Sequence, residues 1–197
     1  MDFEGLDNLE TIGGFYNGGT SGNGNSGTNF GIEFNADTLA IIDSDAGGTG
    51  NFGGEPSPDT VMFFLTGSAS IMNVAAGFET GFSFFYSAIN NSGNVSVYDG
   101  LDGTGTELAT LFIPTTPSDG GDPSGAFSPF FDIGVAFAGT ARSVVFYGVA
   151  DQIAFDNITF GSDTPILETP TPSTLAIVLL AATGLIIGRR KSGTKLK

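Results

Sequence analysis

Along residues 1–165, short apolar runs alternate with clusters of Gly, Asn, Asp and Ser, and the apolar phase rarely lasts more than six residues. That pattern predicts strands. They are expected at 30–34, 38–42, 60–65, 70–74, 82–86, 94–98, 107–113, 130–137, 143–147 and 152–160. Val95 and Val97 alternate with Ser96 and Tyr98, as in a half-buried strand. Leu108, Thr110 and Phe112 share one face by the same parity. No sustained helical period occurs before Thr174. This many short strands in one domain predicts an all-β fold, an antiparallel β-sandwich of the jelly-roll kind. Gly13–Asn29 and Pro114–Pro129 are expected to be mobile surface loops. The run Gly81-Phe82-Ser83-Phe84-Phe85-Tyr86 reads as core and inter-sheet packing. Tyr16, inside the first glycine-rich loop, is expected to be the best-placed exposed aromatic.

The last strand breaks its own alternation. Ile153 and Phe155 share one parity, while Ile158 and Phe160 share the other. Either a bulge at Asp156-Asn157 restores the phase, or both faces are buried and Asp156 points with Ile158 and Phe160 into the core. A carboxylate placed there must be paired, protonated or on a metal. Arg142 is the only basic residue of positions 1–165 and so the only basic partner on offer.

Composition narrows the chemistry. The 197 residues contain no cysteine and no histidine, which removes disulfides, thiolate chemistry and the usual general base and zinc ligand. Positions 1–165 hold twenty acids against Arg142, a formal charge of −19. Such a surface repels nucleic acid and anionic lipid and attracts divalent cations. Glycine (31 residues) argues against helix, and phenylalanine (19 residues) supplies the core.

Two glycine patterns, 22–27 and 48–53, match the dinucleotide fingerprint in letters only, since neither opens a helix. Asp99-Gly100-Leu101-Asp102-Gly103 reads as a turn between strands before it reads as a metal loop. Asp43-Ser44-Asp45 is a weak cation candidate without a distal bidentate glutamate. The carboxylates form no pattern that predicts a raised pKa. A carboxylate-dependent glycoside hydrolase, which would need no histidine, therefore ranks below two non-catalytic readings.

The C-terminal thirty residues have a different grammar. Residues 165–173 are a Pro-rich linker. Residues 174–188 are apolar and uncharged, with Thr183 the one polar side chain between Leu175 and Ile187. Arg189, Arg190 and Lys191 follow, within a basic tail 189–197 that holds five of the six basic residues. As a helix the apolar stretch is roughly 22 Å long at 1.5 Å per residue, short against a hydrocarbon layer of about 30 Å but able to span with snorkelling. The basic residues place the C-terminus in the cytoplasm. The expected layout is a β-sandwich ectodomain (1–164), the linker, one C-terminal transmembrane helix and a cytoplasmic tail. The opening Met1-Asp2-Phe3-Glu4 is acidic where a secretory leader would be basic and then apolar, so a mature or misplaced start is expected.

Pro170, Thr171, Pro172, Ser173 and Thr174, followed by the apolar helix and the basic stop, resemble the PEP-CTERM sorting signal of Gram-negative bacteria. Thr171 stands where that family has glutamate. The resemblance implies export, a transient stay in the membrane, and release or transfer by an exosortase-like membrane protease or transpeptidase to the cell surface or extracellular matrix. The ending Ile153–Gly161, with the opening Asp2-Phe3-Glu4-Gly5, resembles galactose-binding-like jelly rolls and carbohydrate-binding modules. That likeness implies a structural calcium ion ligated by Glu4 and Asp156. The main expectation is therefore an exported, non-catalytic surface or biofilm-matrix protein. The alternative is a carbohydrate-binding module that holds extracellular polysaccharide.

Overall fold

The computed structural model describes residues 1–119 and 125–167. The sorting-box residues Pro170, Thr171, Pro172, Ser173 and Thr174, the apolar stretch 174–188 and the basic residues Arg189, Arg190 and Lys191 lie outside the described residues. Among the described residues no helix is long and apolar enough to cross a membrane.

The described residues form eleven strands: β1 (Glu10–Thr11), β2 (Ile32–Phe34), β3 (Thr38–Ile42), β4 (Thr60–Phe64), β5 (Ala69–Phe78), β6 (Gly81–Ser87), β7 (Gly93–Tyr98), β8 (Glu107–Ile113), β9 (Phe131–Ala136), β10 (Ala141–Tyr147) and β11 (Ala154–Phe160). They pair antiparallel in two sheets. The first has the order β1-β3-β4-β11-β6-β9 and the second β2-β5-β10-β7-β8. From β4 onward the chain passes from sheet to sheet at every step except the β7–β8 hairpin and so winds the two layers together, as jelly rolls do.

The core lies where the alternation placed it. Phe82, Phe84, Phe146 and Phe155 are fully buried between the sheets. Their rings meet edge-on or tilted, with centroids 4.9 Å apart for Phe146–Phe155 and 5.8 Å for Phe84–Phe146. Burying each such ring stabilises the fold by about 1.5–3 kcal/mol. Val95 and Val97 face the same core, while their β8 neighbours Thr110 and Phe112 face outward opposite Ser96 and Asn94.

On β11 the register shifts between Asp156, opposite Phe85, and Thr159, opposite Ser83, and Asn157 takes φ 46°. The extra residue is a bulge, the first of the two readings. It lets Phe155 and Ile158 both enter the core and turns Asp156 to the other face, so the reading with Asp156 in the core is corrected. Beyond the bulge the N-terminus takes the place of β4 beside β11. The Met1 amino group donates to the Ile158 carbonyl at 2.9 Å, and Ile158 N–H donates to the Met1 carbonyl at 3.0 Å. This pairing brings Glu4 near Asp156.

Candidate functional site

Glu4 and Asp156 both close on the loop that leads into β4. Glu4 Oε1 accepts the N–H groups of Asp59 (3.0 Å) and Thr60 (2.9 Å). Asp156 Oδ2 accepts the Ser57 N–H (2.9 Å) and hydroxyl (2.7 Å), and Oδ1 accepts the Asn157 N–H (2.7 Å). Arg142 is no partner here. It is exposed on β10 of the other sheet and donates to the Ala75 carbonyl at 3.3 Å. Burial pushes the Asp156 carboxyl up to about 7, against the lowering effect of its Ser57 and Asn157 donors and with the charge of Glu4 adding to the rise.

Calcium takes six to eight oxygen ligands. Here the oxygens of Glu4 and Asp156 receive N–H and O–H donors, and among the described residues no group of three acids is placed to hold a metal ion. The arrangement fits protein donors rather than a calcium ion, and it works as a hydrogen-bonded clasp between N-terminus, loop and last strand.

Two other expectations change. Tyr16 is buried, not exposed: its hydroxyl accepts the Phe3 N–H at 3.0 Å, and its ring packs against Phe3, Phe15 and Phe30. The glycine-rich loop around it is drawn in by Glu10. The Glu10 carboxylate accepts from the Asp7 N–H, the Ser21 hydroxyl, the Asn23 N–H and the Asn25 amide. Burial works to raise that carboxyl, and the donors outweigh it and hold it below the usual range. Raised carboxyls also exist where none was expected. Glu55, half-buried, is pushed up to about 7 by burial and then by the charges of Asp43, Asp45 and Asp59. Asp43 is raised by burial and by Asp45.

The aromatic and polar side chains converge elsewhere, on the outward face of the first sheet. Strand β4 is apolar on both faces. Met62 and Phe64 enter the main core, while Val61 and Phe63 turn outward. The outward side is covered by loops. Phe52 forms a small second core with Val61 and Ala154, supported by Ile41, Phe127 and Phe130. The backbones of Phe52 and Phe127 form a parallel bridge, and Asn51 Oδ1 accepts the Ala126 N–H at 3.0 Å.

Between this cover and the segment 151–154 lies a cleft of about 360 Å³. Phe63 and Phe127 supply apolar wall. Asn51, Asn90, Gln152 and Asp151 supply polar groups. Gln152 is held by the Asn91 amide, which donates to its Oε1 at 3.0 Å, and donates from Nε2 to the Asp151 carbonyl at 2.8 Å.

Chemically the cleft offers aromatic surface, amide donors and acceptors, and one carboxylate. None of its described lining residues is a cation. Among the described residues that line it, Asp151 is the one carboxylate. None of its residues was expected from the sequence to contact a carbohydrate, although Ile153 and the glycine pattern 48–53, which contains Thr49, Asn51 and Phe52, were noted for other reasons. The available signal was a lone phenylalanine in each of two Gly- and Pro-rich loops, which implies that the loops fold onto something.

Fold and cleft together define a β-sandwich domain with a walled ligand-sized recess on its first sheet. No family model matches the chain, and no curated protein matches it. Solved structures similar to it include a family 6 carbohydrate-binding module dissected for its binding sub-sites. That likeness has 16% identity, 65% of this chain and 85% of that one covered, and a TM-score of 0.41. Another is a carbohydrate-binding module from Cellvibrio mixtus lichenase 5A in complex with cellotriose, at 12% identity, 64% and 88% coverage, and a TM-score of 0.39. A third is a family 43 arabinoxylan arabinofuranohydrolase from Bacillus subtilis, at 19% identity and a TM-score of 0.40, with 64% of this chain and 24% of that chain covered.

Proposed function

We propose that this chain is an exported, non-catalytic surface or matrix protein whose β-sandwich body binds carbohydrate. The cleft on the first sheet is the observation that carries the binding reading. Apolar ring surface beside amide groups is the chemistry that holds a neutral polyhydroxylated ligand. The acidic body, at −19 over residues 1–165, disfavours anionic ligands and nucleic acid. The export half of the reading is supported by the sequence of residues 165–197, with its Pro-rich box, apolar stretch and basic stop.

The binding half is tested by titrating short neutral oligosaccharides into the full chain by calorimetry, beside Phe127→Ala and Gln152→Ala. Saturable heat that falls at least about tenfold in affinity in either variant supports the cleft. Heat unchanged in both, or absent from the wild type across a broad glycan panel, refutes it. The export half is tested by expressing the chain with and without residues 189–197 in a host that carries an exosortase. Equal surface delivery of both forms would count against the sorting signal.

A further inference from the structure

The second sheet has an outward face that the cleft does not use. Cross-strand register places Tyr147 of β10, Asn94 of β7 and Phe112 of β8 in one row. All three are exposed, Phe112 at 63% and Tyr147 at 37%. With strands about 4.8 Å apart, the two aromatic positions lie about 10 Å from each other with the amide between them. The next row holds Val145, Ser96 and Thr110, and the one after it begins with Ser143 and Tyr98. Tyr98 and Tyr147 therefore lie on the same face, two rows apart. Between those rows Val145 and Ser96 are only 2% and 4% exposed, and the loop 99–105 comes down on Val145 at Gly103.

The face is braced. Tyr98 donates to Glu107 at 3.3 Å, and Ser96 and Thr110 share a hydrogen bond of 3.0 Å. The loop 99–105 folds onto the far end of the same face. Asn73 donates to Asp102 at 2.6 Å, Gly103 N–H donates to the Ser143 hydroxyl at 3.0 Å, and that hydroxyl donates to the Gly100 carbonyl at 2.6 Å. A turn that only reversed the chain would not need these ties to a neighbouring strand.

We propose that this face is a second binding surface, a flat one, on which a neutral polysaccharide chain lies across the strands with its sugar rings stacked on Tyr147 and Phe112. An isolated exposed apolar residue is ordinary and carries no such meaning. Here two exposed rings share a row with an exposed amide, and Tyr98 lies two rows away on the same face, a layout suited to the C–H faces and hydroxyls of a sugar chain. The charge selects the occupant. Asp102 and Glu107 border the face, so an anionic polymer is repelled, and Arg142 is turned to the Ala75 carbonyl. The proposal shares its ligand class with the function proposed above but uses the opposite sheet. One molecule would then engage two chains and cross-link them.

The test is retention of the full chain in native gels containing a neutral β-glucan or xylan, with polygalacturonate as the anionic control. Tyr147→Ala and Phe112→Ala should each weaken retention at least about tenfold, and Tyr147→Phe, which keeps the ring, should retain most of it. Phe112→Ala should melt with the wild type, since that ring is 63% exposed, and Tyr147→Ala, which removes a ring only 37% exposed, is compared below its own melting transition. Phe127→Ala in the cleft should leave gel retention in place while losing oligosaccharide heat. Alanine variants that melt with the wild type and are retained like it overturn the proposal. So does tighter binding to polygalacturonate than to the neutral polymers. Either result leaves the cleft to be judged by its own calorimetry.

Discussion

Asp156→Asn isolates the electrostatics of the clasp. The wild-type carboxyl has no exposed surface, is held by three donors and has its pKa raised from 3.8 to about 7, chiefly by burial. Between those two values the folded protein keeps a proton that the unfolded chain releases. The contribution to stability is therefore fully present below about pH 4 and is lost as pH rises through about 7. At about 1.4 kcal/mol per pH unit, the rise from 3.8 to about 7 amounts to about 4 kcal/mol. That is a large part of the 5–15 kcal/mol that typically holds a domain together.

Asparagine keeps one acceptor oxygen for Ser57 but turns an amide donor toward the Asn157 N–H. One hydrogen bond is lost at every pH, about 1 kcal/mol. The variant should therefore be less stable than wild type by about 1 kcal/mol near pH 4 and more stable by about 3 kcal/mol near pH 8. Urea unfolding followed by far-ultraviolet circular dichroism, at constant ionic strength across that range, measures the difference. Mutual repulsion of the acids and the raised Glu55 weaken both proteins alike as pH rises, so they cancel in the comparison. Parallel profiles, or a wild type that gains on the variant as pH rises, would refute the reasoning.

Three further outcomes are expected. The melting temperature of the full chain should be the same in calcium and in magnesium at matched ionic strength, and a calcium-specific rise that Glu4→Gln abolishes would restore a metal role for Glu4 and Asp156. Tyr16→Phe should lower stability by about 1–3 kcal/mol in urea melts, because the buried Phe3 N–H loses its acceptor, and an unchanged midpoint would mean that another acceptor replaces it. Gly48→Ala should destabilise by more than about 2 kcal/mol, because the new Cβ runs into the carbonyl of Ile42. A variant that melts normally would show that the loop after β3 can shift freely.

How far the fold could be read from the chain depended on local alternation. Every strand from β2 to β11 overlaps a run predicted from apolar periodicity and turn residues. Strand β1 escaped because it is two residues long, and its neighbours in sequence, Gly13 and Gly14, suggest only a turn. Strand β5 runs on to Phe78, past the expected end at Val74, through Ala75-Ala76-Gly77, which shows no polar alternation. The slipped phase of β11 left two readings open, and the bulge is the one found. Its consequence, a carboxylate buried under a loop rather than in the core, depended on where residues 55–59 fold. Tyr16 was misplaced because glycine and asparagine around it signal exposure, whereas Glu10 supplies the donors' partner that draws the loop in.

The cleft was illegible for a related reason, yet β4 contained a clue that goes further than strand assignment. Thr60-Val61-Met62-Phe63-Phe64 is buried at every position. A strand of this kind needs an apolar cover on both sides. In a two-layer sandwich the partner sheet covers one side only, so loops must cover the other, and the long Gly- and Pro-rich segments carrying Phe52 and Phe127 were the available loops. A second sheet can interdigitate with a strand, because both have regular rows. Irregular loops cannot match those rows along the whole strand, and space remains where their apolar side chains stop. The space beside Phe63 and Ala154, rimmed by backbone-anchored amides, is that remainder. The doubly apolar strand therefore explains why a recess exists on this face, and the amides around it decide what can occupy it.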